Sequence, residues 1–408
     1  MTATSYQIFF LAVLAVDIIA DLDLSRAELG FIGAINTATG ALSAPFTGRL
    51  TDRIGAWMAA ITGMCIGSLG MAVMALSPNA AVLSLSALIS GIPQGWGNPA
   101  TNALIAERVA PGAQGTITGI KQSGVQFGVF LSGFTLPTLA LWSGWRGSAW
   151  VYCAAFAIGA VATAVLLPRH PNGFVGTLAS PPSPQMEAGT ISGRGNENPQ
   201  AAAGSGGIVD TAEKGVGTEA PSTIDPWILR LAGYALLMGM AGGAIGRFFP
   251  LWAEEAIGLS TTRAGLLVAL TGLLGIGARI VAGRVAETII SPQRLLRILA
   301  GLGGAYAVML VLTPILGPWL LWPGTVFNAV GIGAWNAVAM LAIIMVVPRA
   351  LAGRASGIVM FGFLGGLSIS SPLTGWVVDE WGSYQPVWVA CVVLTSLALL
   401  SLSSSPRS

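Results

Sequence analysis

The chain reads as a series of long apolar stretches broken by short polar interruptions. A bilayer core is about 30 Å thick, so a helix that spans it needs about 20 mostly apolar residues. Eleven stretches meet that length: 28–51, 56–76, 80–107, 115–140, 145–167, 226–252, 262–286, 294–313, 317–346, 354–378 and 383–403. A twelfth, 6–20, has the pattern but is short; helix seven begins near Pro226, and its match 235 positions earlier in the first half would start before Met1. The expectation is therefore twelve helices, the first shortened at its N-terminus. Small residues recur four apart, as at Gly63 and Gly67 or Gly239 and Gly243, a spacing that lets membrane helices approach closely. Between the sixth and seventh stretches the pattern stops. Residues 168–225 hold Pro181-Pro182-Ser183-Pro184 and Gly204-Ser205-Gly206-Gly207, with few large apolar side chains. That composition cannot bury a core and predicts a disordered linker.

Composition places these helices in lipid. Hydrophobic residues make up 54% of the chain and charged residues 9%, where a soluble domain carries about 25% charge. So few charges cannot cover a water-facing surface, and the class is all-α integral membrane. A net charge of +2 gives no footprint for nucleic acid. Cys65, Cys153 and Cys391 lie scattered in apolar stretches without metal-ligand spacing, and the lone His170 sits in a polar Pro-Arg-His-Pro turn. No cofactor or metal is expected. Phosphate-loop and His-Glu-x-x-His patterns are absent, which argues against an ATP-driven pump, a membrane protease or any other enzyme.

Basic residues set the orientation. With the linker in the cytoplasm, its side carries Arg49, Arg53, Arg108, Arg169, Arg230, Arg284, Arg294, Arg297, Arg349 and Arg354, against Arg26, Arg146 and Arg263 on the other. The positive-inside rule then puts both termini in the cytoplasm of a multi-pass inner-membrane protein.

The two halves repeat each other. Leu24-Ser25 and Gly30 match Leu259-Ser260 and Gly265, Gly48-Arg49 matches Gly283-Arg284, and Asp52 matches Glu287, all 235 positions apart. Asn98 matches Asn336, and Gly119-Ile120 matches Gly357-Ile358, 238 apart. The expected bounds are a bundle over 1–167, the linker 168–225, a second bundle over 226–403 and a tail over 404–408. Such repeats characterise secondary carriers, whose solute sits between the halves.

Gly48-Arg49-Leu50-Thr51-Asp52-Arg53-Ile54-Gly55 resembles the G-x-x-x-D-R-x-G loop between helices two and three of the major facilitator superfamily, with a decayed copy at Gly283-Arg284-Val285-Ala286-Glu287. The resemblance extends over the whole chain. It is nearest in character to bacterial carriers of organic anions and cyanate-like solutes, which Gly97-Asn98-Pro99 and Gly119-Ile120-Lys121-Gln122-Ser123-Gly124-Val125-Gln126 also resemble. It implies a secondary carrier, a monomer in the bilayer that takes a small solute and a coupling proton. It also implies a gate latch built from Gly48, Asp52, Arg53, Gly55, Gly283, Arg284 and Glu287; the competing reading is a static anchor. The helix-four segment Leu88–Gly95 lacks the arginine of proton-coupled drug exporters.

Ionisable groups within a bilayer are costly and point to function. Lys121 with Gln122 and Gln126, and Arg247 ahead of Phe248-Phe249-Pro250, are the candidate solute-binding residues, together with Asn98 and Asn336. Cations without matching midplane acids favour an organic anion. The competing reading has Lys121 and Arg247 snorkelling to opposite surfaces. Arg279, one turn before Gly283, is expected to serve the cytoplasmic loop. Two alternatives stay open: a proton-coupled drug-efflux antiporter, and a non-transporting sensor or scaffold on a carrier fold.

Overall fold

The structure, a computed structural model, describes residues 2–108, 114–166, 226–346 and 349–402. The predicted linker 168–225 and tail 404–408 lie outside the described residues.

The first helix is α1 (Thr2–Val13) followed by α2 (Ala15–Leu22), with a break at Leu14 where φ is −105° and ψ is 24°. Together they are longer than the expected 6–20. Next come α3 (Arg26–Ile54), α4 (Ala56–Ala75) and α5 (Ala80–Arg108). The long α6 (Gln114–Leu166) is two helices in one, because Gly144 takes φ 67° and ψ 176° in its interior. That break falls in the gap between the stretches predicted to end at 140 and begin at 145. The second half runs through α7 (Pro226–Glu255), α8 (Thr261–Thr288) and α9 (Pro292–Leu316). After a single 3₁₀ turn at Pro318–Leu320, α10 (Leu321–Phe327) passes through a π-helical turn at Asn328–Ile332 into α11 (Gly333–Val346). The chain closes with α12 (Arg349–Trp381) and α13 (Gln385–Ser401). Counting α1–α2 and α10–α11 as one crossing each, and α6 as two, gives twelve among the described residues.

The repeat has a local physical cause at its start. Ser25 caps α3 by accepting from the Glu28 N–H, and Glu28 returns the bond to the Ser25 N–H at 2.8 Å. Ser260 caps α8 by accepting from the Arg263 N–H. Each serine satisfies a backbone donor that the first helical turn leaves open.

Helices pack α3 on α5 and α4 on α6 in the first half, and α7 on α12 and α9 on α13 in the second. Across the halves, α3 meets α12 and α6 meets α8. Large side chains fill the interior: Phe248, Trp252, Tyr306 and Trp388 in one cluster, Tyr234 and Trp335 in another. Outside, Trp142 is 89% exposed and Phe361 79%. The many exposed large apolar side chains suit a hydrocarbon surround, and seven described stretches are long and apolar enough to cross it.

Candidate functional site

Between the halves lies a cavity of about 290 Å³, walled by α1, α3, α5 and α6 on one side and by α7, α8, α12 and the segment around the π turn on the other. Its walls are mainly apolar, with Phe9, Phe249, Trp335 and Phe363 among them. Two cations reach it, Arg247 and Arg279, and among the described lining residues there is no Asp or Glu.

Arg247 comes from α7 and is 5% exposed. Its Nη2 donates to the Gly33 carbonyl of α3 at 3.2 Å, a bond that crosses between the halves. The close fit depends on Gly33 having no side chain, since a Cβ there would collide with the guanidinium. Nη1 is buried with no hydrogen-bond partner among the described residues. A buried guanidinium with one arm unsatisfied is costly, and an oxyanion placed against it would offset that cost with charge-assisted hydrogen bonds.

Arg279 of α8 is where the structure departs from the expectation that it serves the loop. Its Nε donates to the Gly333 carbonyl at 3.0 Å, immediately after the π turn, and the side chain lines the cavity. A π turn widens the helix, leaves backbone carbonyls out of the regular ladder and occurs frequently at functional sites.

Of the other predicted site residues, Gln126 is buried and lines the cavity. Lys121 and Asn336 are not among the lining residues. Asn336 instead reaches the Met360 sulfur at 3.9 Å on α12. The side chains of Asn98, Gln122 and Asp52 lie outside the described residues. Gln94, Thr37, Thr271 and Asn328 line the cavity without having been singled out in the sequence. For Gln94 the available signal was a polar side chain beside Pro93 in an apolar helix.

The two ends of the bundle differ. At one end Arg26 of α3 ties the halves together. Its Nη2 donates to Glu255 Oε1 at 2.8 Å and its Nε to Glu255 Oε2 at 3.0 Å, while Nη1 lies 3.5 Å from Asp379. Tyr384 donates to the same Glu255 at 2.6 Å. Tyr384 sits in the turn between α12 and α13; burial first, and then the neighbouring Glu255, push its hydroxyl far above the usual tyrosine range, so it remains a donor. Asp379 also accepts from the backbone N–H groups of Arg26 and Ala27, at 3.2 and 2.7 Å, completing the N-terminus of α3 from the opposite half. At the other end the repeated loops stand open. Arg49, Arg53, Arg284 and Glu287 are exposed, and a side chain added at Gly48, Gly55 or Gly283 would meet nothing within 4 Å.

Residues 1–370 match the family described as Major Facilitator Superfamily. The chain belongs to that superfamily, and it is a multi-pass membrane transporter. A probable hexose phosphate transport protein of Chlamydia pneumoniae is 24% identical over 398 residues, covering 94% of this chain and 84% of that one. A gentisate transporter of Corynebacterium glutamicum is 32% identical over 128 residues, covering 30% of this chain and 29% of its own. The quinolone resistance protein NorA of Staphylococcus aureus is 31% identical over 119 residues, covering 28% and 30%. Among solved structures, a bacterial homolog of the human lysosomal transporter Spinster superposes with a TM-score of 0.75 at 16% identity, covering 98% of this chain and 93% of that one. That likeness is one of fold.

Proposed function

We propose that this transporter moves a small organic anion by alternating access, with Arg247 as the principal anion contact and Arg279 as a second cation in the same cavity. The observation that carries the reading is the buried Arg247 with Nη1 unpartnered among the described residues, in a cavity without a described acid. A cation-binding site would present the reverse, a carboxylate without a partner. The curated relatives support the same class, since hexose phosphate and gentisate are both oxyanions. The similarity to the quinolone resistance protein covers less than a third of the chain and leaves drug efflux as the competing outcome.

The gating follows from the difference between the ends. The Arg26 cluster closes one side, which the positive-inside pattern makes the outer one, while the Asp52 and Glu287 loops, on the cytoplasmic side, latch when the halves rock the other way. In this reading residues 1–167 and 226–403 are the two rocking bundles and 168–225 the cytoplasmic tether, in a monomer of the inner membrane.

Counterflow in proteoliposomes tests the function. Exchange of small carboxylates or organic phosphates is the expected result. Export of cationic dyes with no anion exchange would overturn the anion reading in favour of efflux. No flux of either class would favour a sensor or scaffold.

A further inference from the structure

The cavity holds a second buried polar atom without a partner. Gln94 Oε1 has no hydrogen bond among the described residues, and it lines the same space as Arg247. Its head group lies against α3 at Gly40, where an added Cβ would come 2.9 Å from Oε1. Arg247 lies against the same helix at Gly33. Gly33, Thr37 and Gly40 follow one another at helical spacings of four and three, so they share a face of α3. Seven residues at 1.5 Å each put the two polar heads about 10 Å apart along that face. The two orphans are complementary in kind: one is a cationic donor, the other a neutral acceptor. Hydrogen bonds of about 3 Å that run inclined to the line between the two heads let one ring with a polar atom on each side bridge them.

We propose that Gln94 is the second pole of the substrate site. Its carboxamide oxygen accepts from a hydroxyl carried one ring-width from the oxyanion that Arg247 holds, so the carrier selects hydroxylated, ring-sized organic anions over analogues that lack the hydroxyl. The ring is aromatic, because the walls of the cavity include Phe249, Trp335 and Phe363, against which a flat apolar ring packs well. A sugar ring would leave several hydroxyls facing those walls. The inference rests on the anion reading above and adds the hydroxyl and the ring to it. A site built to hold a hydroxyl discriminates strongly against its absence, since the analogue leaves the buried acceptor unpaired.

The test is ligand-induced thermal stabilisation of the purified full chain, titrated with 4-hydroxybenzoate, benzoate, terephthalate and glucose 6-phosphate. The expected result is binding of both benzoates, with 4-hydroxybenzoate about tenfold tighter or more, and loss of that margin in Gln94→Met while benzoate is unaffected. The wild-type comparison stands even if the variant does not fold. Equal binding of the two benzoates, or a margin that survives in Gln94→Met, would overturn the role of Gln94 and leave the anion reading standing. Preference for terephthalate, which offers acceptors where the hydroxyl would be, would overturn the proposed acceptor role. Preference for glucose 6-phosphate would overturn the aromatic ring. Stabilisation by no anion at all, with stabilisation by amphipathic cations, would overturn the anion reading and this inference with it.

Discussion

Arg26 and Glu255 lie 229 positions apart in sequence, and their side chains meet at 2.8 Å across the two halves of the chain. Both are partly buried, and Asp379 and Tyr384 share the pair. A half-exposed pair contributes about 1 kcal/mol or less, and a network of this kind somewhat more. Arg26→Ala should therefore shift the population about fivefold to tenfold toward the state open at the Arg26 end. The check is an impermeant thiol reagent applied from that side to Thr37→Cys, with the three native cysteines replaced by alanine. An unchanged labelling rate would mean that the pair does not latch.

Tyr384 gives that latch a pH profile. A hydroxyl whose pKa is raised by folding contributes stability that is present in full below the ordinary tyrosine value of 10.0 and is lost as pH climbs through the raised one. Labelling of Thr37→Cys, corrected for the reagent's own pH dependence, should thus stay flat from about pH 7 to about pH 9. Tyr384→Phe removes the bond donated to Glu255 at 2.6 Å and the longer one accepted from Arg26 Nε at 3.3 Å, together worth about 1 kcal/mol or more, and should raise labelling about fivefold across that range.

Arg247 is expected to trade stability for function. Arg247→Met removes a buried charge with an unsatisfied arm and puts an apolar stem of similar reach in its place, which removes the cost of desolvating that charge. The ligand-free protein should melt higher, while anion affinity falls about 100-fold or more, since truncating a buried charged partner costs about 2–5 kcal/mol. A variant that melts lower and still binds would place the anion elsewhere.

Gly33→Ala puts a methyl where the Arg247 guanidinium now lies. Displacing the arginine from the Gly33 carbonyl should weaken anion binding about tenfold without altering the helix, for alanine is the better helix former. Isothermal titration of the same anion against both proteins decides it.

Asp52→Asn keeps the shape of the loop and removes its charge. Binding measured by thermal shift should be unchanged, while turnover in counterflow falls at least about tenfold, because in the proposed gating the Asp52 loop latches only when the halves rock. Equal turnover would make the loop a static anchor.

Most of the fold is legible in the sequence because membrane helices announce themselves by length and apolarity. Even the break within α6 is visible, since Gly144 interrupts the apolar run at the place where the backbone turns. The site is less legible. Arg247 stands out as a cation in a hydrophobic helix, and Gln126 as a polar side chain among apolar ones. Arg279 is misplaced by sequence because nothing in Asn328-Ala329-Val330-Gly331-Ile332 marks a π turn, and it is that turn which sets the Gly333 carbonyl within its reach. Gln94 acquires meaning only when α5 packs on α3 and leaves its oxygen without a partner.

Asp379 on the first two N–H groups of α3 has a consequence for tempo. A closure made of interdigitated apolar side chains would have to expose dry surface to open, and a deeply buried ion pair would have to leave charges stranded. Here the polar contacts have water as a ready substitute: the two N–H groups, Glu255 and Arg26 all lie near the margin of the protein and can be rehydrated as they part. The polar network then contributes no more than a few kcal/mol to the difference between shut and open. A machine that must cycle repeatedly needs a catch of that kind, firm enough to exclude a leak and weak enough that one bound solute can tip it.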